Sequence, residues 1–241
     1  MFNWLRKNKN VTVDLVIDVH SHLLPGLDDG VRTFEQAEEI IRKFMALGYY
    51  ELITTPHVMS DAYRNTSEMI LARLEELRAY LAERDIKIRV EAAAEYYLDE
   101  DLFQKLEQSE LLLTFGDKYL LFETNFLTEP MNMKEFIFLA TTRGYKPVLA
   151  HPERYLYLQQ DLSKAEDLLD RGVLFQANIS SFTGYYSKQV QATVNKLVEK
   201  KCIHMLGSDC HHLHHVNLIT EALSTKYFRK ALSLPLLNKS L

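Results

Sequence analysis

The sequence predicts an α/β protein built as a closed or distorted barrel of about seven strand and helix units. The first observation is a strict alternation of short apolar β-type runs with amphipathic helical runs, which indicates parallel strands joined by crossover helices. The second is the position of the polar residues, because metal-chelating side chains follow six of the seven predicted strands. In a closed barrel all the C-terminal strand ends meet at one mouth, whereas an open sheet scatters them along an edge. The pattern therefore favours a barrel over a doubly wound sheet.

The individual elements are read from hydrophobic periodicity and from stop signals. The first helix is the clearest: Thr33 and Gln36 form a capping pattern, apolar residues recur at helical spacing, and Gly48 ends the run. The predicted strands cover residues 13–17, 51–55, 86–94, 119–122, 147–150, 173–177 and 203–206. The predicted helices cover residues 33–47, 65–84, 102–106, 133–143 and 187–200; another passes through residues 165–169 and ends at Gly172, and a last helix starts near residue 217.

Length and composition predict a single domain over residues 1–241, with residues 1–12 as a short N-terminal arm. The chain has 241 residues, of which 47% are hydrophobic, so it can bury a large core. Its net charge of -5, without a long basic run, argues against nucleic-acid binding. Two cysteines cannot form a disulfide framework, and no apolar run of about 18 residues is long enough for a transmembrane segment. The N-terminus also lacks the apolar core of a signal peptide, so we expect a cytoplasmic setting.

Eight side chains at the predicted strand ends are candidate metal ligands. They are His20, His22, His57, Glu95, Glu123, His151, Asp209 and His211. The first two histidines are two residues apart on a strand end and so project from one face, as a chelating pair does. Each residue alone has an ordinary explanation as a loop residue or a helix cap, but eight donors at six strand ends indicate a common site. Imidazole and carboxylate donors suit Mn, Fe or Zn, and eight exceed the needs of one tetrahedral ion, which predicts two or three ions.

Longer motifs around these residues resemble one known superfamily. They are His20-Ser21-His22 with Leu24-Pro25-Gly26 and Asp28-Asp29-Gly30, Thr55-Pro56-His57, Phe122-Glu123, His151-Pro152-Glu153-Arg154 and Ser208-Asp209-Cys210-His211, with Glu95 between them. Together they resemble the PHP (polymerase and histidinol phosphatase) superfamily. Within it the chain is similar to the bacterial PHP-type protein tyrosine phosphatases of capsule and exopolysaccharide gene clusters, over roughly residues 14 to 233.

The resemblance implies a distorted (βα)7 barrel, a TIM-like PHP fold, with a trinuclear centre usually filled by manganese. It also implies that the substrate is a phosphotyrosine protein, the cognate membrane-associated bacterial tyrosine kinase, which would bring the enzyme to the inner membrane. The eight candidate ligands carry over as the metal ligands, and Arg154 carries over as the phosphate-binding arginine. Some members have a second such arginine shortly after the Asp-x-His motif, where this chain has His214, His215 and Val216.

The catalytic candidates beyond the ligands are Arg154, Asp28 and Asp29. The planar guanidinium of Arg154 can hold two phosphoryl oxygens and stabilise their charge, although a surface salt bridge with Glu153 is the alternative. Asp28 or Asp29 can donate a proton to the leaving group, but either residue can equally serve to form the turn. A tyrosine leaving group needs less help than an alkyl alcohol, since phenol has a pKa near 10.

Substrate contacts are expected from Arg154 and, as further candidates, from Arg64 and His212. Arg64 offers a second cation that could grip phosphate if Arg154 does not. For His212 the alternative is a solvated loop residue, and the same holds for His215. These positions lie on predicted loops or helix starts near the strand ends, so the sequence alone leaves their roles open.

Rival functions remain at this point. A thiol-dependent phosphatase commonly has an arginine six residues after its cysteine, but Ser208 and Val216 occupy those positions after Cys202 and Cys210. An amidohydrolase would typically have a lysine where Glu123 stands. A PHP-type phosphoesterase acting on a small phosphomonoester such as histidinol phosphate, a nuclease-like PHP protein, and a non-catalytic metal-stabilised binding module are the open alternatives.

Overall fold

A computed structural model describes residues 15–241, and every strand pairing within the sheets of this part of the chain is parallel. The predicted arm of residues 1–12 and the start of the first predicted strand lie outside the described residues. The strands are β1 (Ile17–Asp18), β2 (Glu51–Thr54), β3 (His57–Val58), β4 (Arg89–Ala92), β5 (Glu95–Tyr97), β6 (Tyr119–Glu123), β7 (Lys146–Ala150), β8 (Leu174–Asn178) and β9 (Met205–Gly207).

The nine strands form seven strand units. They pair in two sheets, of order β1-β2-β4 and β3-β5-β6-β7-β8-β9. Thr55 and Pro56 separate β2 from β3, and Ala93 and Ala94 separate β4 from β5, so each pair is one interrupted strand. A proline has no N–H to donate to a ladder, which is one physical reason for the first interruption. The predicted strand 86–94 is thus displaced and split, with its second part at Glu95–Tyr97.

The first and last strands meet and close the ring. Ser21 and Cys210 form a parallel bridge just beyond β1 and β9. On either side, the Asp209 N–H donates to the His20 carbonyl at 2.8 Å and the His22 N–H donates to the Cys210 carbonyl at 2.9 Å. The predicted closed, distorted barrel is therefore confirmed, and its seam lies within the predicted metal-binding motifs.

Asn238 completes the same seam at the opposite ends of β1 and β9. Its side-chain NH2 donates to the carbonyls of Ile17 at 3.1 Å and Leu206 at 2.8 Å, and its side-chain oxygen accepts from the Leu206 N–H at 2.9 Å. The residue is fully buried. One amide side chain from the C-terminal segment thus bonds to backbone groups of β1 and β9 that do not pair with each other.

The helices cover the outside of the barrel. They are α1 (Phe34–Ala46), α2 (Ser67–Ala82), α3 (Glu100–Glu107), α4 (Met133–Thr142), α5 (Leu156–Gln160), α6 (Ser163–Asp170), α7 (Lys188–Glu199), α8 (Leu213–Ala222) and α9 (Lys226–Leu232). The Thr33 side chain caps α1, as predicted, by accepting from the Gln36 N–H. Neither α5 nor α9 was predicted, since five to seven residues carry little periodicity. The helix that was predicted to start near residue 217 begins at Leu213. The prediction missed its first turn because that turn holds histidines and lacks an apolar pattern.

The apolar core has two layers. A large cluster lies between the strands and the helices. A smaller one draws on most of the strand units and therefore fills the barrel interior; it includes Ile17, Val19, Ile53, Ala93, Leu121, Val148 and Met205. Ala93 and Leu121 each stand two residues before a predicted ligand, so the ligands Glu95 and Glu123 continue the interior face towards the mouth. Every helix within residues 15–241 is too short or too polar to cross a membrane.

Candidate metal centre

All eight ligand candidates lie together at the C-terminal mouth of the barrel. His20 and His22 follow β1, His151 follows β7, and Asp209 and His211 follow β9, while the other three belong to β3, β5 and β6. Most of these side chains are buried; His57 and His211 are partly exposed. The strand ends thus bring together donors that are as far as 191 residues apart in sequence.

Two groups of donors share Glu95. The first consists of His20, His22 and Glu95, and the second of His57, Glu95 and Glu123, with the donor atoms of each group within 4.8 Å of one another. Glu95 Oε2 lies 3.2 Å from His20 Nε2 and 3.1 Å from His57 Nδ1. A carboxylate so placed can bridge two cations.

A third group consists of His22, Asp29, His57 and His211. Asp29 Oδ1 lies 3.3 Å from His211 Nε2 and 3.5 Å from His57 Nε2. The hydrogen bond from His211 holds the pKa of Asp29 below its usual value. The sequence suggested Asp29 as a proton donor, but an ionised carboxylate among imidazole nitrogens is better placed to be a ninth metal donor.

The donor geometry fits metal ions better than it fits hydrogen bonding. The Nε2 atoms of His20 and His22 are only 3.2 Å apart. His57 Nδ1 lies 3.1 Å from both Glu95 Oε2 and Glu123 Oε1. It is nevertheless a buried atom without a properly angled hydrogen-bond partner among the described residues. Imidazole nitrogens and carboxylate oxygens that converge this closely, with one imidazole nitrogen left without a hydrogen-bond partner, are expected where cations are coordinated.

The electrostatics of the mouth also call for positive charge. Burial lowers the pKa of His20, but the carboxylates of Glu95 and Asp209 outweigh this effect and raise the pKa to about 9. For His57, burial likewise lowers the pKa, while Glu95 and Glu123 raise it to about 10. Carboxylates concentrated in a buried site thus stabilise protons on the imidazoles. Divalent cations bound there would neutralise the same negative charge.

Two of the ligand candidates lie in strained backbone. His151 has φ 35° and Asp209 has φ 50°, both in the left-handed region that side chains other than glycine rarely adopt. His151 directly follows β7 and Asp209 lies two residues after β9, where an extended residue would continue along the strand. The left-handed turn redirects the chain at the mouth, and such strain is typical of functional sites.

Gln176 on β8 orients His20 from below the mouth. Its side-chain oxygen accepts from His20 Nδ1 at 2.7 Å, so Nε2 faces the other donors. Gly207 makes this approach possible, because a Cβ there would stand 2.7 Å from His20 Cβ and 2.6 Å from Gln176 Nε2. The orientation of the His20 ring is therefore set by a buried neighbour.

Asp28 performs the same task for His22. Its Oδ2 accepts from His22 Nδ1 at 2.7 Å and from the His57 N–H at 3.1 Å, and its Oδ1 accepts from the Gly30 N–H at 2.9 Å. Burial raises the pKa of Asp28, but the charge and hydrogen bond of His22 outweigh it and the pKa lies well below the usual value. An ionised carboxylate with both oxygens bonded has no proton to give. This placement supports an orienting role and not the proton-donor role suggested from the sequence.

Arg154 lies beside the donors on the turn after β7. Its Nη1 donates to Asp209 Oδ2 at 3.2 Å. The guanidinium carbon lies 4.6 Å from the centre of the Phe126 ring and 4.4 Å from that of Tyr186. Asp209 Oδ2 also accepts from Asn178 Nδ2 at 2.6 Å. Asp209 therefore directs one oxygen to the histidines and the other to Arg154 and its neighbours.

A cavity of about 590 Å³ opens over this centre. Its walls combine the donor residues and Arg154 with aromatic rings: Tyr63, Tyr97, Phe126, Tyr185 and Tyr186. An open cavity with apolar walls and a charged floor suits a ligand that has an aromatic body and an anionic end.

The two remaining substrate candidates are placed differently. His212 lines this cavity and a neighbouring one of about 380 Å³, with its ring centre 3.9 Å from that of His215. Arg64 is exposed, donates from Nε to the Ser60 carbonyl at 2.7 Å, and is not part of the cavity wall. The structure brings His212 to the site and does not bring Arg64 there.

Sequence reasoning missed Gln176, Asn178 and Tyr186. The first two carried a signal, because polar residues two apart on an otherwise apolar strand point to one face near its end. Tyr186 carried none, since a tyrosine in a loop between a strand and a helix is common on protein surfaces.

Comparison with known proteins gives consistent matches. Residues 16–226 match the family model described as "Capsular polysaccharide synthesis, CpsB/CapC". The chain is 30% identical over 206 residues to tyrosine-protein phosphatase YwqE of Bacillus subtilis (strain 168), which covers 86% of this chain and 81% of the relative. It matches a crystal structure described as YwqE from Bacillus subtilis and CpsB from Streptococcus pneumoniae, unique metal-dependent tyrosine phosphatases. That match has a TM-score of 0.79 and 28% identity and covers 92% of this chain and 94% of that one.

A more distant match supports the fold alone. The structure of histidinol phosphate phosphatase from Lactococcus lactis subsp. lactis Il1403 aligns with a TM-score of 0.52 at 11% identity, covering 86% of this chain and 94% of that chain. Together these matches confirm the resemblance drawn from the motifs.

Proposed function

The chain belongs to the CpsB/CapC family of capsular polysaccharide synthesis, and on this premise we propose that it is a metal-dependent phosphatase that hydrolyses phosphotyrosine on a protein. The observation that carries the proposal is the position of Arg154. Its guanidinium packs on two aromatic rings, lies directly beside a cluster of buried metal donors, and faces an open cavity. A fixed cation beside bound metal ions is the arrangement that phosphoryl transfer requires.

The metal ions would be held by the eight ligand candidates, with Asp29 as a ninth donor. The three donor groups support two or three ions, and mixed imidazole and carboxylate donors are compatible with manganese, our first choice, or with iron or zinc. Such ions lower the pKa of water to supply the nucleophile and neutralise phosphoryl oxygens. The protein's own part is to fix the donors, which Gln176 and Asp28 do by accepting hydrogen bonds from His20 and His22.

Arg154 would bind the phosphoryl group. A guanidinium has five N–H donors, and the one hydrogen bond that the Arg154 guanidinium makes among the described residues is to Asp209. The other N–H groups are free to hold two phosphoryl oxygens at once, a task for which the planar fork is suited.

The aromatic cavity supports tyrosine as the leaving group. Rings of Tyr63, Tyr97 and Phe126 stand over the donor cluster and can pack against the phenyl ring of phosphotyrosine. Phenolate leaves readily because its conjugate acid has a pKa near 10, so a dedicated proton donor is not essential. The buried, ionised state of Asp28 is compatible with that chemistry.

The physiological partner that we propose is a membrane-associated bacterial tyrosine kinase that controls capsular or exopolysaccharide synthesis. The family description and the tyrosine phosphatase relatives support this choice. The enzyme would then act in the cytoplasm, at the inner membrane when bound to its substrate. We further infer that residues 15–241 form one phosphatase domain, since the barrel closes between its first and last strands.

The test compares initial rates on three substrates with the same metal-loaded enzyme: a phosphotyrosine peptide, histidinol phosphate and a nucleotide diester. We expect the peptide to give the highest kcat/KM, a chelator to abolish turnover, and manganese to restore it. Iron and zinc, added to separate chelated samples, decide the metal preference.

Other outcomes select the alternatives. Preference for histidinol phosphate would identify a small-molecule phosphomonoesterase. Metal binding without turnover of any substrate would identify a non-catalytic module. For the partner, an autophosphorylated, membrane-associated bacterial tyrosine kinase of capsular polysaccharide synthesis should lose its phosphotyrosine faster than an unrelated phosphotyrosine protein; equal rates would contradict the kinase assignment.

A further inference from the structure

Tyr186 is the one described residue whose ring packs on the Arg154 guanidinium and whose hydroxyl also reaches Asp209. The ring centre lies 4.4 Å from the guanidinium carbon of Arg154, and the hydroxyl donates to Asp209 Oδ2 over 3.3 Å. Tyr186 thereby touches the phosphate-binding candidate and a metal-ligand candidate at the same time.

The backbone around Tyr186 is closely determined. Gly184, two residues earlier, has φ 82°, a left-handed conformation that turns the chain after the 3₁₀ segment Ile179–Thr183. Ser187, the next residue, caps α7 by accepting from the Val190 N–H. The Tyr186 hydroxyl also lies 3.2 Å from Asn178 Nδ2. The position of Tyr186 is thus fixed by the backbone turn before it, by the helix cap after it and by the contact of its hydroxyl with Asn178.

Arg154 depends on such neighbours for its orientation. Its side chain is flexible, and its hydrogen bonding within residues 15–241 consists of the contact with Asp209. The Phe126 and Tyr186 rings lie on it at 4.6 and 4.4 Å and restrict the plane of the guanidinium. A guanidinium whose plane is set in advance loses less conformational freedom when it binds a phosphoryl group.

We propose that Tyr186 is a positioning residue for phosphate binding. It acts by holding the plane of the Arg154 guanidinium in the orientation in which Nη1 donates to Asp209. This inference rests on the proposed phosphatase function. It assigns the ring to Arg154 and the hydroxyl to Asp209, and it places no part of Tyr186 on the reacting atoms.

A double-mutant cycle tests whether Tyr186 acts through Arg154. The variants are Tyr186→Leu, Arg154→Ala and the double variant, with manganese-loaded protein and p-nitrophenyl phosphate as the probe. We expect Tyr186→Leu to lower kcat/KM by about 10-fold, from the loss of one cation–π face, and mainly through KM. In the Arg154→Ala background the same change should cost less than about 2-fold. Equal losses in both backgrounds would overturn the proposal.

Two comparison variants sharpen this cycle. Tyr186→Phe keeps the ring and should recover most of the activity that Tyr186→Leu loses. Tyr185→Leu removes a neighbouring tyrosine of the same cavity whose hydroxyl contacts His215 rather than Arg154. Its effect, whatever its size, should persist in the Arg154→Ala background. If Tyr186→Leu does not fold, Tyr186→Met, which also lacks the aromatic ring, takes its place in the same cycle.

A second readout does not depend on turnover. The affinity for inorganic phosphate, measured by calorimetry on metal-loaded protein, should fall about 10-fold in Tyr186→Leu and should not fall further when Arg154 is already alanine. Metal content should be the same in all variants. Phosphate binding that follows this pattern without hydrolysis of any phosphotyrosine peptide would contradict the proposed function and leave the positioning role intact. Phosphate binding that is insensitive to Tyr186→Leu would overturn the positioning role itself.

Discussion

Arg154→Ala is the variant that separates substrate binding from metal binding at this site. In the structure the guanidinium makes one ion pair, with Asp209, and leaves further N–H groups for a ligand. Two charge-assisted hydrogen bonds to phosphoryl oxygens at roughly 1.5 kcal/mol each amount to about 3 kcal/mol of lost transition-state stabilisation. At 1.36 kcal/mol per tenfold change, kcat/KM should fall by about 100-fold or more.

Metal content and melting temperature should remain near wild type in the same variant. Asp209 Oδ2 keeps its hydrogen bonds from Asn178 and Tyr186 when Arg154 is lost, so the carboxylate is not left unpaired. Lysine should restore only part of the activity, because it returns the charge without the planar fork. Arg171→Ala, which removes an exposed helical ion pair with Asp167, is the matched control.

The assay combines steady-state kinetics on a phosphotyrosine peptide with elemental analysis and a thermal melt of each variant. The reasoning is refuted if Arg154→Ala loses metal or stability while the kinetics per folded, metal-loaded site are unchanged. In that case Arg154 is a structural ion pair and phosphate is held elsewhere, with Arg64 and His212 the next positions to replace.

Three further variants test the thiol question, the orientation of His20 and the barrel seam. Cys202→Ser with Cys210→Ser should keep activity, because neither thiol lines the cavity within the described chain; inactivity of the folded, metal-loaded variant would count against the proposal. Gln176→Ala should weaken metal binding about 10-fold to 100-fold, measured by chelator competition, because His20 loses its orienting acceptor; wild-type affinity would contradict that role. Asn238→Ala should lower stability by about 3 kcal/mol and the melting temperature by roughly 6 to 12 °C, since it removes three buried hydrogen bonds; a shift under about 2 °C would show that the seam does not depend on it.

The barrel and its eight donors could be predicted because both follow from short-range patterns. Alternation of apolar strands and amphipathic helices implies parallel strands, and parallel strands in a closed barrel place their C-terminal ends together. A donor such as Glu123 or His151, placed at the end of an apolar run, is then assigned to the mouth without any knowledge of distances. The boundaries were less predictable, as the split of the predicted strand 86–94 shows.

The sequence by itself determined the fold class, the family and the set of residues that gather at the mouth. Only the tertiary structure decided what each side chain does there. Asp28 and Asp29 are neighbours in one turn, yet one is buried against His22 and the other opens onto the cavity. Asn238 bonds to Ile17 across 221 positions of the chain. The physical reason is that a strand or turn fixes where a residue lies, whereas the direction of its side chain and its hydrogen-bond partner depend on distant segments that meet it only after the ring has closed.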